Sequence, residues 1–226
     1  MLCCSPLAAV RPHPRRRALV SLMVALCAVP LPPAAAAPIV EGVDFKTLAR
    51  AQPVESPPGK LEVVEFFGYW CPHCQALEAD LLAWRARQAP DVSFRRIPVA
   101  FRPNQAIWQH TYYALEAMGK ADAAAPALFA SLHSPGKKPP ESLDEIADVL
   151  AKAGVERARF VELAGSFSIQ AKSRRSIQAV EAYGIDGVPT LVVAGRWMTS
   201  PSLAGGHEKA LHALDELLAR ERLAKR

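Results

Sequence analysis

Hydrophobic and polar positions along the first half of the chain predict alternating strands and helices. Residues 61–67 (LEVVEFF) are apolar except for two acids, which is typical of a buried central strand. The next segment predicts an amphipathic helix over residues 72–88, because apolar side chains recur at helical spacing. These apolar positions are Ala76, Leu77, Leu81 and Trp84. The alternating residues 92–97 predict a second strand, which ends at Pro98.

The middle of the chain, residues 104–170, has a different pattern. It is rich in alanine and shows helical periodicity without a convincing strand. The predicted helices cover residues 105–119, 122–132, 142–152 and 156–164. We therefore expect an all-helical segment inserted into the strand-containing part of the chain.

The last part of the chain returns to strands. A helix over residues 170–183 is expected to end at Gly184, and residues 190–194 predict a buried strand. A tight hairpin at Gly195 and Arg196 is expected to lead into a further strand over residues 197–199. A closing helix then runs from His207 to about Leu223. The apolar face of that helix is predicted to carry Leu211, Leu214 and Leu218. The complete order predicts an α/β fold interrupted by an all-helical insertion.

The N-terminal segment has the pattern of a secretory signal peptide. Residues 1–17 carry four arginines and no acid, and residues 18–29 are a short apolar run. Prolines and the small residues Ala34–Ala37 follow, so cleavage is expected near Ala36. The alternative is an uncleaved membrane anchor, but an apolar run of twelve residues is short for a bilayer. The expected organisation is a signal peptide at 1–36, a first sheet part at 37–103, the insertion at 104–170 and a second sheet part at 171–226.

Removal of the leader changes the charge and the cysteine count. The formal net charge of +5 falls to about +1, so the basic precursor does not indicate nucleic-acid binding. Three of the five cysteines (Cys3, Cys4 and Cys27) leave with the leader. The remaining pair, Cys71 and Cys74, closes too small a loop to stabilise the chain much, so a chemical purpose is expected.

The Cys71-Pro72-His73-Cys74 motif is predicted to begin a helix. Pro72 suits the first helical turn, where its missing N–H costs nothing. Unpaired backbone N–H groups and the helix dipole favour the thiolate of Cys71, so its pKa should be depressed. We expect Cys71 to be the accessible attacking thiol and Cys74 the buried resolving thiol. His73 can add a donor and, when protonated, a positive charge.

The cysteine pair has three other possible interpretations. A zinc site usually needs four ligands, and the remaining histidines form no tight ligand pair, so no metal is predicted. Haem attachment requires a histidine directly after the second cysteine, where this chain has Gln75. An inert structural pair stays possible. The redox interpretation is favoured, with the disulfide itself as the redox group and no separate cofactor.

Two segments carry a resemblance to a known family. Residues 65–74 (EFFGYWCPHC) resemble the active-site segment of the bacterial thiol:disulfide interchange proteins of the DsbA family. Residues 187–190 (GVPT) resemble that family's cis-proline loop. The resemblance implies a thioredoxin fold with an inserted helical domain and a periplasmic oxidase. Such an oxidase donates its disulfide to reduced, newly exported polypeptides and is reoxidised by a quinone-linked membrane protein resembling DsbB.

The resemblance also implies roles for residues around the dithiol. A cis bond before Pro189 would expose the Val188 backbone beside Cys71, where an extended substrate could add hydrogen bonds. Glu65 lies in a strand predicted to be covered on both faces, so its pKa should be raised, and a proton relay to Cys74 is suggested. Arg96 is either a partner of this acid or a solvated strand charge. Trp70 is expected at the surface as a substrate contact.

Tyr69 is expected to join Trp70 in a shallow apolar groove that would take unfolded chains.

Two other functions stay open for this fold. One is a disulfide isomerase or reductant. Isomerases of this type usually dimerise through a separate N-terminal domain, and the roughly 23 residues between the expected cleavage site and Leu61 are too few for one. The other is a chaperone-like binding module with a vestigial dithiol. No dimerisation element is predicted, so a monomer is expected.

Overall fold

A computed structural model describes residues 38–225, and the predicted signal peptide lies outside them. Within that range the protein forms one five-stranded sheet in the order β1-β5-β4-β2-β3. The strands are β1 Lys46–Thr47, β2 Leu61–Phe67, β3 Val92–Pro98, β4 Thr190–Val193 and β5 Trp197–Thr199. Strands β2 and β3 run parallel, whereas β4 pairs antiparallel with both β2 and β5.

Eight α-helices accompany the sheet within the described residues, together with a short 3₁₀ turn at Pro103–Gln105. The first four are α1 Pro72–Ala86, α2 Ala106–Ala117, α3 Ala121–His133 and α4 Leu143–Lys152. The last four are α5 Arg157–Ala164, α6 Phe167–Tyr183, α7 Pro201–Ala204 and α8 His207–Ala224. Helices α2 to α5 lie between β3 and α6 in the chain, where the sequence predicted the all-helical insertion.

Strand β2 lies inside the sheet between β4 and β3, and all seven of its residues are buried. Its alternate side chains therefore point into two different cores. Val63 packs in a core with α1 and α8, which includes Leu81, Trp84 and Leu214. On the other face of the sheet, a second core lies under the end of α6. Its members include Val64, Phe66, Val192 and Tyr183.

The helix after β2 agrees with its pattern except at one position. Leu77, Leu81 and Trp84 are buried, as predicted, but Ala76 is exposed. Glu78 is buried instead of Ala76 and faces the sheet. Ala76 directly precedes Leu77, so a helical turn of about 100° per residue places it away from the face that carries Leu77 and Leu81.

The inserted helices form a third core that reaches the dithiol. It joins Leu128, Ile146, Leu150 and Phe160 from the insertion to Phe67 and to both cysteines. Helix α6 begins in this core with Ile169 and ends in the sheet core with Tyr183. It starts at Phe167, three residues earlier than predicted, because the Ser166 side chain caps it by accepting from the Ile169 N–H.

Turns at the ends of the C-terminal elements use left-handed backbone. Gly184 ends α6 with φ of 65°, as predicted. Ala194 and Gly195 have φ of 51° and 61° and form the tight turn between β4 and β5. Gly195 also lies against the Gln52 carbonyl, leaving no room for a Cβ. Strand β1 and helix α7 were not predicted.

Candidate active site

The dithiol lies at the start of α1, directly after strand β2. Cys71 is the N-cap, with extended φ and ψ of −94° and 117°, and Pro72 opens the helix. A turn delivers the chain from β2 to this position, because the Cys71 N–H donates to the Gly68 carbonyl at 3.0 Å. The Cys74 N–H donates to the Cys71 carbonyl at 3.1 Å, so the two cysteines share the first helical turn.

Both cysteines are free thiols in this structure. Cys74 is buried, as predicted, with 1% of its surface exposed. Cys71 is also largely covered, with 4% exposed, so the expectation of an accessible thiol is wrong for this state. The cis-proline loop covers it, because Cys71 Sγ lies 3.3 Å from the Val188 carbonyl oxygen, which the protonated thiol can use as a hydrogen-bond acceptor and the thiolate cannot.

The pKa values of the two thiols are shifted in opposite directions. A hydrogen bond from the Cys74 side chain, with help from the backbone N–H groups of Cys74 and His73, lowers the pKa of Cys71 to about 6. The charge of His73 acts in the same direction, and burial opposes it. Burial raises the pKa of Cys74 well above that of an ordinary thiol. Cys71 is therefore the thiolate at neutral pH, and Cys74 holds its proton.

The peptide bond between Val188 and Pro189 is cis, as expected from the resemblance. The loop is fixed locally by the Thr190 hydroxyl, which donates to the Gly187 carbonyl at 2.8 Å. A cavity of about 330 Å³ lies beside this loop. Its lining includes Val188, Pro189, Met198 and Leu203. The loop therefore places a backbone carbonyl beside Cys71 and borders this cavity.

Glu65 lies on β2 and is 1% exposed. Alternation along the strand places it on the same side as Val63 and Phe67, which is the side that faces α1. Burial raises the pKa of Glu65 to about 7, although the neighbouring charge of Arg96 lowers it in part. The Glu65 charge contributes to the raised pKa of Cys74, so the carboxyl and the resolving thiol interact.

Arg96 is a buried partner of this carboxyl and not a solvated strand charge. It pairs with Glu65 across β2 and β3, and its Nε lies 2.7 Å from Glu65 Oε2. Neither of these two atoms has a hydrogen bond of good geometry within the described residues, so the contact is mainly electrostatic. The guanidinium also makes a fork with Glu78, at 3.2 and 2.8 Å.

Glu78 was missed by the sequence analysis. A signal for it was present, because it stands four residues after Cys74 and three before Leu81, which is the spacing of a buried helix face. Burial would lower the pKa of Arg96, but the charges of Glu65 and Glu78 outweigh it and keep the guanidinium protonated. One arginine thus balances two buried acids beside the dithiol.

The aromatic pair before Cys71 divides between surface and core. Trp70 is half-buried, donates from its indole to the Val99 carbonyl at 3.0 Å, and meets the exposed Phe101 ring at 5.9 Å. Tyr69 is 1% exposed and packs among Phe67, Trp108 and Phe129, so its expected place in a surface groove is wrong. The strand pattern that precedes it gave no information on which of the two rings points outward.

Pro72 and His73 are exposed between the two cysteines. Among residues 38–225, no group of three or more histidine, cysteine or acidic side chains gathers closely enough to hold a metal ion. The same residues include no helix that is both long and apolar enough to cross a membrane.

A dithiol of unequal acidity on this sheet, facing a cis-proline, defines a class of protein. The class is that of the thioredoxin-fold thiol–disulfide oxidoreductases, here with an inserted helical domain. Comparison with known proteins narrows the class. The family model described as DSBA-like thioredoxin domain matches residues 62–208, and this chain belongs to that family. The resemblance and the fold predicted from the sequence are thereby confirmed.

Named relatives and solved structures agree with this membership. The thiol:disulfide interchange protein DsbA of Burkholderia cepacia is 37% identical over 200 residues, covering 88% of this chain and 92% of that protein. The protein of the same name from Bordetella parapertussis is 39% identical over 168 residues, covering 73% and 78%. The crystal structure of Pseudomonas aeruginosa DsbA matches with a TM-score of 0.77 at 35% identity, covering 81% of this chain and 95% of that chain.

Proposed function

We propose that this protein donates a Cys71–Cys74 disulfide to reduced polypeptides that have been exported to the periplasm. The observation that carries the proposal is the unequal acidity of the two thiols. A pKa of about 6 for Cys71 stabilises the reduced form at neutral pH. A dithiol whose reduced form is stabilised has an oxidising disulfide, which favours donation over reduction.

Donation takes two exchange steps. A substrate thiolate attacks the Cys71 sulfur, forms a mixed disulfide and breaks the Cys71–Cys74 bond, and Cys74 leaves and takes up a proton. A second substrate thiolate then attacks the substrate sulfur of the mixed disulfide and releases Cys71 as a thiolate. The substrate has lost two electrons and become a disulfide, and the protein has gained them as a dithiol. Cys71 is the better leaving group because its pKa is the lower of the two.

Glu65 is assigned a proton-transfer role in these steps. Its pKa of about 7 lets it hold or release a proton near neutral pH, which suits a group that serves the high-pKa thiol of Cys74. Arg96 and Glu78 act as positioning residues, because the arginine fork fixes the place of the charge that faces Glu65. Pro72 and His73 set the local geometry and charge of the helix start.

Val188, Pro189 and Trp70 are assigned to substrate binding. The Val188 carbonyl lies beside Cys71, where an extended polypeptide would make strand-like hydrogen bonds. The half-buried Trp70 offers apolar contact directly before Cys71, and the cavity beside Pro189 offers a mixed polar and apolar lining. Backbone recognition of this kind suits unfolded substrates with different sequences.

The partners and the location follow from the same assignment. The substrates are reduced, unfolded exported proteins, and a membrane reoxidase resembling DsbB would restore the disulfide. The segment 1–36 would direct export and be removed, leaving 37–103 and 171–226 as the sheet-containing part and 104–170 as the inserted domain. The working form is a monomer, and no cofactor is needed beyond the disulfide itself.

The test is equilibration with glutathione followed by refolding of a reduced substrate. The protein should stay mainly reduced in mildly reducing buffer, and its oxidised form should restore activity to a reduced, unfolded disulfide enzyme. Cys71→Ser should abolish that transfer, and Cys74→Ser should trap a mixed disulfide with the substrate. A disulfide that resists mild reduction would contradict the oxidising role. Faster recovery of a scrambled substrate than of a reduced one would favour an isomerase.

A further inference from the structure

Tyr69, two residues before Cys71, is held at two points by one turn of helix α3. Its ring meets the ring of Phe129 edge-on, with centroids 5.3 Å apart. Its backbone carbonyl lies 2.8 Å from His133 Nε2. Phe129 and His133 are four residues apart on α3, and their own rings stack at 6.2 Å with an interplanar angle of 30°. The insertion therefore touches the active-site turn through a side chain and through the main chain.

The chemistry of the main-chain contact fixes its direction. A carbonyl oxygen can only accept, so His133 Nε2 carries the proton and donates it to Tyr69. This holds for the neutral ring in one tautomer and for the protonated ring. The hydrogen bond therefore persists whatever the charge of His133.

The accepting carbonyl belongs to the most adjustable peptide of the turn. Gly68 to Cys71 form a four-residue turn closed by the Cys71 N–H to Gly68 carbonyl bond. The peptide between Tyr69 and Trp70 is its central unit, and rotating that unit interconverts the two common turn types. The donor on His133 holds this peptide in one orientation, and the indole of Trp70 is held separately by the Val99 carbonyl.

We propose that the Phe129–His133 turn of α3 is a positioning element for Cys71, with His133 as its key residue. Cys71 must keep its place at the helix start to receive the N–H groups of the first turn and to face Val188. Those contacts depend on the turn that delivers it. By holding Tyr69, the insertion sets how well the Cys71 thiolate is stabilised, and so tunes the redox equilibrium of the pair. The inference rests on the proposed oxidising function.

The test compares His133→Leu and His133→Gln with the unaltered protein. Leucine removes the donor and keeps apolar bulk, whereas glutamine keeps an N–H that can reach a carbonyl. We expect His133→Leu to raise the pKa of Cys71, measured from ultraviolet thiolate absorbance. The equilibrium constant with glutathione should shift toward the oxidised protein by about threefold to tenfold, the scale of one lost hydrogen bond. A tenfold shift corresponds to about 30 mV. His133→Gln should recover most of both values.

Two further variants keep the test decisive. Phe129→Leu should shift both quantities in the same direction by less, which serves if His133→Leu fails to fold. Leu150→Ala loosens the insertion core from α4, which packs on α2, α3 and α5. If Leu150→Ala moves the Cys71 pKa as far as His133→Leu does, general loosening explains the effect and the proposal fails. An unchanged pKa in His133→Leu also overturns it. The Cys71 pKa of the unaltered protein tests the proposed function separately.

Discussion

The depressed pKa of Cys71 makes the stability of the reduced protein depend on pH. Its pKa is about 6 in the folded state against an ordinary value of 9.0, and only 4% of the residue is exposed. The folded state therefore gains stability from the thiolate. That gain is fully present above the unfolded pKa and is lost as the pH falls through about 6. Linkage gives about 1 kcal/mol at pH 7 and about 3 kcal/mol at pH 8.

The perturbation that isolates this contribution is Cys71→Ser, since the serine hydroxyl does not titrate in this range. Urea unfolding of both proteins, in the presence of a reductant, would give the free energy of unfolding from about pH 5.5 to pH 8. Across that interval we expect the free energy of unfolding of the unaltered protein to rise by about 2 to 3 kcal/mol relative to that of the variant. Glu65 titrates in the same range with the opposite sign, but it is present in both proteins and largely cancels.

A difference between the two proteins that stays flat with pH would refute the reasoning, because it would mean that Cys71 has the same pKa folded and unfolded. A difference that grows toward low pH would show that burial, which opposes the thiolate, outweighs the hydrogen bonds. The oxidised protein provides the control, since its Cys71 sulfur has no proton to lose.

Three other changes have expected outcomes. The pKa of Glu65 is raised from 4.5 to about 7 in the folded state, so the protonated carboxyl stabilises the fold relative to the carboxylate. That contribution to the free energy of unfolding is lost as the pH rises through 7. In the oxidised state, the free energy of unfolding of Glu65→Gln, measured with urea, should therefore rise by about 2 to 3 kcal/mol relative to that of the unaltered protein between pH 5 and pH 8. A difference that stays constant with pH would contradict this. Gly68→Ala would place a Cβ 2.5 Å from the Trp70 indole nitrogen, so we expect altered tryptophan emission and a loss of about 1 to 3 kcal/mol. Unchanged emission would show that the indole is not held there. Ser142→Ala removes the N-cap of α4, and calorimetry should show a loss of about 1 kcal/mol.

The elements that the sequence predicted well are those with a local pattern. Strand β2 has the predicted bounds, and the closing helix buries Leu211, Leu214 and Leu218 as expected. Strand β1 was missed because two residues carry no periodicity. It exists only through pairing of Lys46 with Met198, far along the chain.

The candidate site shows the same division between local and distant information. The helix start at Cys71 and the burial of Glu65 follow from residues close in sequence. The environment of Arg96 stayed open in the sequence analysis, because a charge on a strand is buried or solvated according to what packs over it. The contact of His133 with Tyr69 spans 64 residues, and no local pattern indicates it. Contacts of this kind are decided by how the insertion docks on the sheet.

Helix α6 has a mechanical consequence for the molecule. It runs without glycine or proline from the insertion core to the sheet core, over 17 residues or about 25 Å. The residue-170 boundary expected from the sequence falls inside it. A helix without glycine or proline bends little, so a tilt of the insertion would be passed on to the sheet and would not be taken up by a bend within α6. The other connection, from β3 to α2, contains Phe101 beside Trp70, so the same tilt would also move the aromatic surface next to Cys71.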